Sequence, residues 1–174
     1  VEHFAATVTG TNEYGPTAGS HVVVVTAGLP RKPGMTREDL LAANGAIVRS
    51  VIAEVRATSP DAIVILVTNP LDVMAHLAWR VSGFPPARVF GMGGVLDSAR
   101  FAYFIAEATG AAITDINAVV IGAHGDTMVP LPRFSTVAGT PLPELLSADA
   151  VAEIVRRTVY GGAALWNTGF EWLH

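Results

Sequence analysis

The first half of the chain alternates two hydrophobic patterns, one typical of strands and one typical of helices. Residues 21–26 contain four consecutive valines, and residues 62–68 read AIVILVT. Such β-branched runs without polar alternation are typical of parallel strands covered on both faces. Between them, apolar residues recur at the three- and four-residue spacings of a helix, at Leu40, Ile47, Val48, Val51 and Val55. The order strand, loop, long helix, strand predicts a βαβ unit and a parallel sheet.

Local signals predict where the elements begin and end. Thr36 and Asp39 have the spacing of a capping box, which starts the long helix there, and the helix should end near Ser59-Pro60. Asn69 is in the position to cap a second helix that has Pro70 in its first turn and ends at Ser82. The other predicted elements are strands over 6–9, 89–91 and 119–121, and helices over 95–109 and from 148 to about 160.

The composition limits the class of protein. With 51% hydrophobic residues among 174, the chain is long enough and apolar enough to bury a core. No apolar run reaches the ~18 residues of a membrane span, and residues 1–3 lack the basic start of an export signal. We therefore expect no membrane association and a cytoplasmic location. The absence of cysteine fits that reducing compartment and excludes thiolate chemistry.

The charge pattern limits the partners. A net charge of −4 comes without a basic block, so we expect no nucleic-acid partner. We also predict no metal site. Because the first residue is valine rather than methionine, we expect the chain to be a piece of a longer protein.

His124 is the first candidate for catalysis. It follows an apolar run that stops at Gly122, and it stands between Ala123 and Gly125, so the predicted strand presents it at its end. Histidine titrates near neutrality, and in a cleft it takes and gives a proton at physiological pH. The alternative is a turn histidine that is capped locally by Asp126.

The loop after the first valine strand is a candidate anion site. Residues 29–35 read LPRKPGM, and the prolines and glycine exclude helix and regular strand there. Arg31 and Arg37 lie on this loop or just past it. Guanidinium groups bind carboxylates through two parallel hydrogen bonds, so two arginines on a mobile loop suit a small anion. The alternative is a pair of solvated arginines on an exposed loop.

Three polar residues on predicted helices leave alternatives open. Asn44 falls on the apolar stripe of the long helix, so it either bonds neighbouring backbone or faces a polar ligand. Asp97 and Arg100, three residues apart, share one helix face and by themselves predict a surface ion pair.

Four motifs stand in order along nearly the whole chain: TAGLPRKPGMTREDLLAAN from Thr26, VTNPLDV from Val67, GMGGVLDSARF from Gly91 and IGAHGDTMVP from Ile121. Together they resemble the lactate/malate dehydrogenase family, in particular its bacterial lactate-dehydrogenase-like malate dehydrogenases. The resemblance implies an α/β fold. Residues 1–92 would be the C-terminal part of an NAD-binding domain, with a partial Rossmann-type doubly wound parallel sheet. Residues 93–174 would be the start of an α+β substrate domain.

The resemblance also implies a role for each candidate residue. His124 would exchange a proton with the ketone or alcohol oxygen while Asp97 holds its imidazole, which replaces the Asp97–Arg100 and His124–Asp126 interpretations. Four side chains would bind substrate: Arg100 at the C1 carboxylate, Arg37 at the reacting carbonyl, Arg31 at the second carboxylate of malate or oxaloacetate, and Asn69. The cofactor NAD would contact Gly28, Asn44, Val67, Thr68 and Asn69.

Substrate choice would depend on Arg31. The corresponding position in lactate dehydrogenases resembles glutamine, which cannot neutralise a second carboxylate. The resemblance therefore implies malate and oxaloacetate as substrates, with lactate-type 2-hydroxy acid specificity as the alternative.

The chain departs from the family pattern at both ends. The G-x-G-x-x-G fingerprint, with its acidic residue about 20 positions later, is not among these residues, and the tail over 163–174 differs from the family. We therefore expect malate dehydrogenase activity in a full-length parent, and relatives imply a homo-oligomer, dimer or tetramer. The alternative for this chain alone is a non-catalytic fragment that binds a dicarboxylate or a partner chain.

Overall fold

The computed structural model describes residues 6–30, 32 and 34–167, without the side chains of Arg37 and of residues 162–167. The chain divides into two compact units, Val1–Gly91 and Met92–His174. None of the helices among the described residues is long and apolar enough to cross a membrane.

The first unit is a parallel sheet with two helices. In chain order its elements are β1 Val22–Val25, α1 Arg37–Thr58, β2 Ile63–Leu66, α2 Leu71–Ser82 and β3 Val89–Gly91. The sheet has the order β1-β2-β3, and both strand pairs are parallel. The α/β class and the βαβ unit predicted from the sequence are confirmed.

Both helices of the first unit cover the same face of this sheet. The register pairs Val23 with Val64 and Val25 with Leu66, and all four pack with the buried residues of α1 and α2. On the opposite face, Val22 and Val24 are 52% and 56% exposed. The prediction that the valine run is covered on both faces is therefore wrong for the part of the chain that the structure describes. A run of valines shows that a strand is apolar on both faces. Whether each face is buried depends on the other segments that pack against it.

The ends of α1 agree with the sequence. Thr36 and Asp39 form the reciprocal capping box, with both hydrogen bonds 3.0 Å long, and the helix ends at Thr58. The second helix begins differently, because its N-cap is Pro70 and no side chain caps it. The interpretation of Asn69 as a helix cap is wrong.

The predicted first strand over 6–9 is absent. Residues 6–11 carry no regular structure and are exposed, with Val8 81% accessible. Alternation over four residues gives a strand only where a neighbouring strand accepts its hydrogen bonds. No such partner lies beside this segment among the described residues.

The second unit packs two helices against two small antiparallel sheets. Its elements are α3 Gly94–Thr109, β4 Ile116–Asn117, β5 Val120–Gly122, β6 Met128–Pro130, β7 Thr136–Val137, β8 Thr140–Pro141, α4 Leu142–Leu145 and α5 Ala148–Asn167. One sheet has the order β4-β7-β8, and the other is the hairpin β5-β6. The core is centred on α3 and α5 and contains Phe101, Ile105, Val120, Met128, Leu142 and Ile154.

The last helix is longer than predicted. It continues past Gly161-Gly162 to Asn167 instead of ending near Tyr160. Gly161 lies against α3, where a Cβ atom would come 3.6 Å from Cε2 of Phe104. This glycine is at a close helix contact rather than at a helix end, which local sequence alone does not distinguish.

Candidate functional site

The second unit brings His124 and Asp97 together. Asp97 is in the first turn of α3 and is 1% exposed. His124 is in the turn that joins β5 to β6. In this turn Gly122 and Gly125 have φ angles of +91° and +147°, which residues with a side chain rarely adopt. The turn places Nδ1 of His124 2.9 Å from Oδ2 of Asp97.

This geometry defines what the imidazole does chemically. Because a carboxylate only accepts hydrogen bonds, Nδ1 carries the proton in the pair, which assigns the tautomer from the contact. Nε2 is then the ring nitrogen that carries no proton in the neutral imidazole. The arrangement is that of a general acid–base held by an orienting carboxylate.

Arg100 contacts the same carboxylate. Its Nη1 lies 3.4 Å from Oδ1 of Asp97, while Nδ1 of His124 contacts Oδ2, so each carboxylate oxygen faces a nitrogen of a different side chain. The expectation that the histidine pairing replaces the Asp97–Arg100 pair is therefore wrong, because both are present. The side chain of Arg100 remains 24% exposed. Binding of a substrate carboxylate by Arg100 stays a prediction.

In the first unit, Asn44 joins two loops. It is 1% exposed, and its Oδ1 accepts from the Leu29 N–H at 2.7 Å. Its Nδ2 donates to the carbonyl oxygens of Leu29, at 3.2 Å, and of Asn69, at 2.7 Å. Of the two alternatives for Asn44, the structure shows the one in which the amide bonds neighbouring backbone. Its contact with a cofactor stays a prediction.

The other predicted cofactor residues follow β1 and β2 at the carboxyl end of the sheet. A Cβ atom at Gly28 would overlap the hydroxyl of Thr68, so these two loops approach as closely as a glycine permits. Val67 donates its N–H to the carbonyl of Val25 at 2.8 Å and extends the ladder. The carboxyl ends of parallel strands are where ligands bind in open α/β sheets.

Two predicted substrate residues stay untested. Arg31 lies outside the described residues, and the structure gives only the backbone of Arg37, which is the first residue of α1. Asn69 is an exposed residue, and its backbone carbonyl accepts a hydrogen bond from Nδ2 of Asn44.

Sequence reasoning missed Ser98. Its Oγ accepts the N–H of Val120 at 3.1 Å and links α3 to β5. No local signal identifies it, because its partner lies 22 residues away in the sequence. For the part of the chain that the structure covers, no group of acidic and histidine side chains has a metal-binding arrangement.

Two family models match the chain. The model for the lactate/malate dehydrogenase NAD binding domain matches residues 2–91, and the model for the lactate/malate dehydrogenase alpha/beta C-terminal domain matches residues 94–166. The chain belongs to the lactate/malate dehydrogenase family. The family match reaches residue 166, so residues 163–166 of the tail that we expected to differ from the family lie within it.

Individual relatives agree with the family assignment. A curated malate dehydrogenase from Synechocystis sp. is 56% identical over 172 residues, which are 97% of this chain and 53% of that protein. A malate dehydrogenase structure from Salinibacter ruber has a TM-score of 0.85 at 47% identity, covering 94% of this chain and 52% of that one. The lactate dehydrogenase from Cryptosporidium parvum, complexed with lactic acid and nicotinamide adenine dinucleotide, also gives 0.85, at 41% identity, with 94% and 53% covered. The chain spans about half the length of the curated relatives it matches.

Proposed function

We propose that the protein to which this chain belongs is an NAD-dependent malate dehydrogenase that interconverts malate and oxaloacetate. The observation that carries the proposal is the buried Asp97 carboxylate 2.9 Å from Nδ1 of His124. The match to the lactate/malate dehydrogenase family supports hydride transfer with proton exchange as the reaction in which this pair takes part. The malate dehydrogenases with 56% and 47% identity support malate rather than lactate as the substrate.

The residues of the first unit fit the cofactor. Gly28 and Thr68 bring two polar loops together at the carboxyl edge of the sheet, and Asn44 fixes the peptides of Leu29 and Asn69 there. We assign Gly28, Asn44, Thr68, Asn69 and the backbone at Val67 to holding it. When bound, NAD(H) supplies or accepts the hydride. Both Nδ2 hydrogens of Asn44 bond backbone carbonyls, so Asn44 serves the cofactor by shaping these loops.

His124 moves the proton. Its Nε2 donates a proton to the ketone oxygen of oxaloacetate and takes one back from the hydroxyl of malate. Negative charge that develops on this oxygen is stabilised by the protonated imidazole, and the Asp97 carboxylate compensates the imidazolium. General acid catalysis of this kind contributes about 10²–10⁴-fold to the rate.

Arginines account for the carboxylates of the substrate. Arg100 binds the C1 carboxylate, Arg37 polarises the reacting carbonyl, and Arg31 binds the second carboxylate, with Asn69 as a further hydrogen-bond partner. Planar guanidinium groups recognise carboxylates through paired hydrogen bonds, which fix orientation as well as charge. The same set of residues accounts for a dicarboxylate substrate and leaves a monocarboxylate such as pyruvate without a partner for Arg31.

Substitution of Arg31 tests the assignment of substrate. In the protein that carries this chain, we expect Arg31→Gln to lower the rate with oxaloacetate relative to pyruvate by orders of magnitude, followed through NADH absorbance. An unchanged ratio of the two rates would remove Arg31 from substrate choice. A wild-type protein that prefers pyruvate would show lactate-type specificity, and one that binds oxaloacetate calorimetrically without turnover would be a non-catalytic dicarboxylate binder.

Assembly and location belong to the same proposal. We propose a cytoplasmic homo-oligomer, dimer or tetramer, on the strength of the family resemblance. Sedimentation of the protein that carries this chain measures its mass directly, and a monomer at the concentration used for the activity assay would contradict the oligomer.

A further inference from the structure

Helix α3 holds the segment that carries His124 at two points. Asp97 contacts the imidazole at one end of this segment. The next residue on the helix, Ser98, accepts the N–H of Val120 at the other end, 3.1 Å away. Two adjacent residues of one rigid helix therefore hold residues that are four positions apart on the strand and turn.

The pairing of the hairpin explains why Val120 is available to Ser98. Val120 stands opposite Pro130, and the ladder bond next to this pair runs from the Leu131 N–H to the Val119 carbonyl, 2.9 Å. In such an antiparallel pair, the N–H and carbonyl of the central residue point away from the partner strand. The backbone of Val120 thus faces α3 rather than β6.

The face of α3 that receives this backbone is built for a close approach. Gly94 and Ser98 are four residues apart and lie on one helix face. A Cβ atom at Gly94 would come within 3.4 Å of the Val120 carbonyl oxygen. Farther along the same face, Phe101 and Ile105 are fully buried with Val120 in the core. The position of β5 along this face of α3 is therefore fixed by apolar packing at one end and by the Ser98 hydrogen bond at the other.

We propose that Ser98 is a positioning residue for catalysis, whose hydroxyl holds β5 against α3 so that His124 meets Asp97. Val120 is 7% exposed, so water has little access to its N–H and does not readily replace the Ser98 hydroxyl as the acceptor. The strand then shifts along α3 to find another partner, and the imidazole moves with it. The effect on turnover rests on the proposed function, whereas the effect on the histidine–aspartate contact does not.

The test compares two substitutions of Ser98 in the protein that carries this chain. We expect Ser98→Ala to lower kcat by about 10²-fold, the effect of a displacement of about 1 Å, and to leave KM within about twofold. Ser98→Thr keeps the hydroxyl, and we expect it to restore most of kcat. Thr158→Ala is the matched control, because it removes another buried hydroxyl of the same unit, bonded only to the Ile154 carbonyl of its own helix. It should lower stability and leave kcat unchanged.

A second readout does not require activity. By NMR, Ser98→Ala should raise the exchange rate of the Val120 amide by about tenfold or more and weaken the Nδ1–H signal of His124. Both signals should persist in Ser98→Thr. An intact His124 Nδ1–H signal in Ser98→Ala, or an equal loss of kcat in Thr158→Ala, overturns the proposal. If the wild-type protein does not turn over oxaloacetate, the proposed function fails, and the NMR comparison still decides the role of Ser98.

Discussion

Asn44 and Asp97 are equally buried, each 1% exposed, yet they serve opposite purposes. In the first unit, the neutral amide of Asn44 bonds only backbone, at Leu29 and Asn69. In the second unit, the carboxylate of Asp97 faces two ionisable side chains, His124 and Arg100. It is the one buried charged residue in the described part of the chain. One buried group fixes loop shape, and the other organises charge.

This difference separates two kinds of contribution that a buried polar side chain makes. A neutral amide that replaces backbone partners shapes the loops without titrating. A buried carboxylate requires hydrogen-bonding or cationic partners, because an unpaired buried charge is strongly destabilising. In this chain the ionisable side chains around a buried charge therefore lie on α3 and the β5–β6 turn, whereas Asn44 bonds backbone at the sheet edge of the first unit.

The largest expected effect comes from removing the proton carrier of the second unit. His124→Asn should lower kcat with oxaloacetate by about 10²–10⁴-fold, because the proton for the ketone oxygen is lost. Binding of NADH, measured by fluorescence titration, should change little. His21→Asn, an exposed histidine of the first unit, is the control and should retain full activity. An equal loss of kcat in His124→Asn and His21→Asn would mean that catalysis does not depend on His124.

A smaller effect is expected from removing the amide of the first unit. Asn44→Ala leaves the Leu29 N–H and two carbonyls without a partner, and the free energy of unfolding in urea should fall by about 1–3 kcal/mol. Since an amide does not titrate, the loss should be equal at roughly pH 6 and roughly pH 8. Asn12→Ala, at an exposed asparagine, should change stability by less than about 0.5 kcal/mol. A loss at Asn44 that varied with pH would contradict the comparison.

The smallest expected effect distinguishes the two units through their surface carboxylates. Hydrogen bonds from Thr36, backbone first and then side chain, lower the pKa of Asp39, whereas Arg156 lowers the pKa of Glu153. Both carboxylates therefore stabilise the fold above their unfolded pKa values, and this contribution is lost as pH falls through the lowered folded values. Added salt should move the pKa of Glu153 back towards 4.5 more than it moves that of Asp39 towards 3.8, because salt screens ion pairs. NMR titration of both carboxyls measures this, and equal shifts would contradict it.

Local sequence was sufficient where the physics is local. The Thr36–Asp39 capping box spans three residues, so its two hydrogen bonds follow directly from the residue types. The C-terminal ends of α2 and α3 likewise agree with the sequence, because each helix stops at a glycine in the left-handed conformation, Gly83 and Gly110. For the family and fold class, the four motifs were enough.

Contacts between distant segments were not predictable from local pattern. The Asp97–His124 contact spans 27 residues, and the sequence pointed to it only through the family resemblance. The exposed face of Val22 and Val24, the Ser98 contact with Val120 and the passage of α5 through Gly161 each depend on which segment packs alongside. Hydrophobicity predicts that a residue is buried, but it does not predict which segment packs against it.

Pro130 has a further consequence for the hairpin that presents His124. Because it lies in the outward-facing position of β6, its missing N–H removes a donor from the edge of β6 that no strand pairs with in the described part of the chain. On the other edge, α3 occupies the backbone of Val120. Exposed strand edges recruit strands from other molecules, and a proline there is a common natural defence. Among the described residues, each edge of the two-stranded hairpin therefore offers one backbone N–H fewer for the addition of a foreign strand.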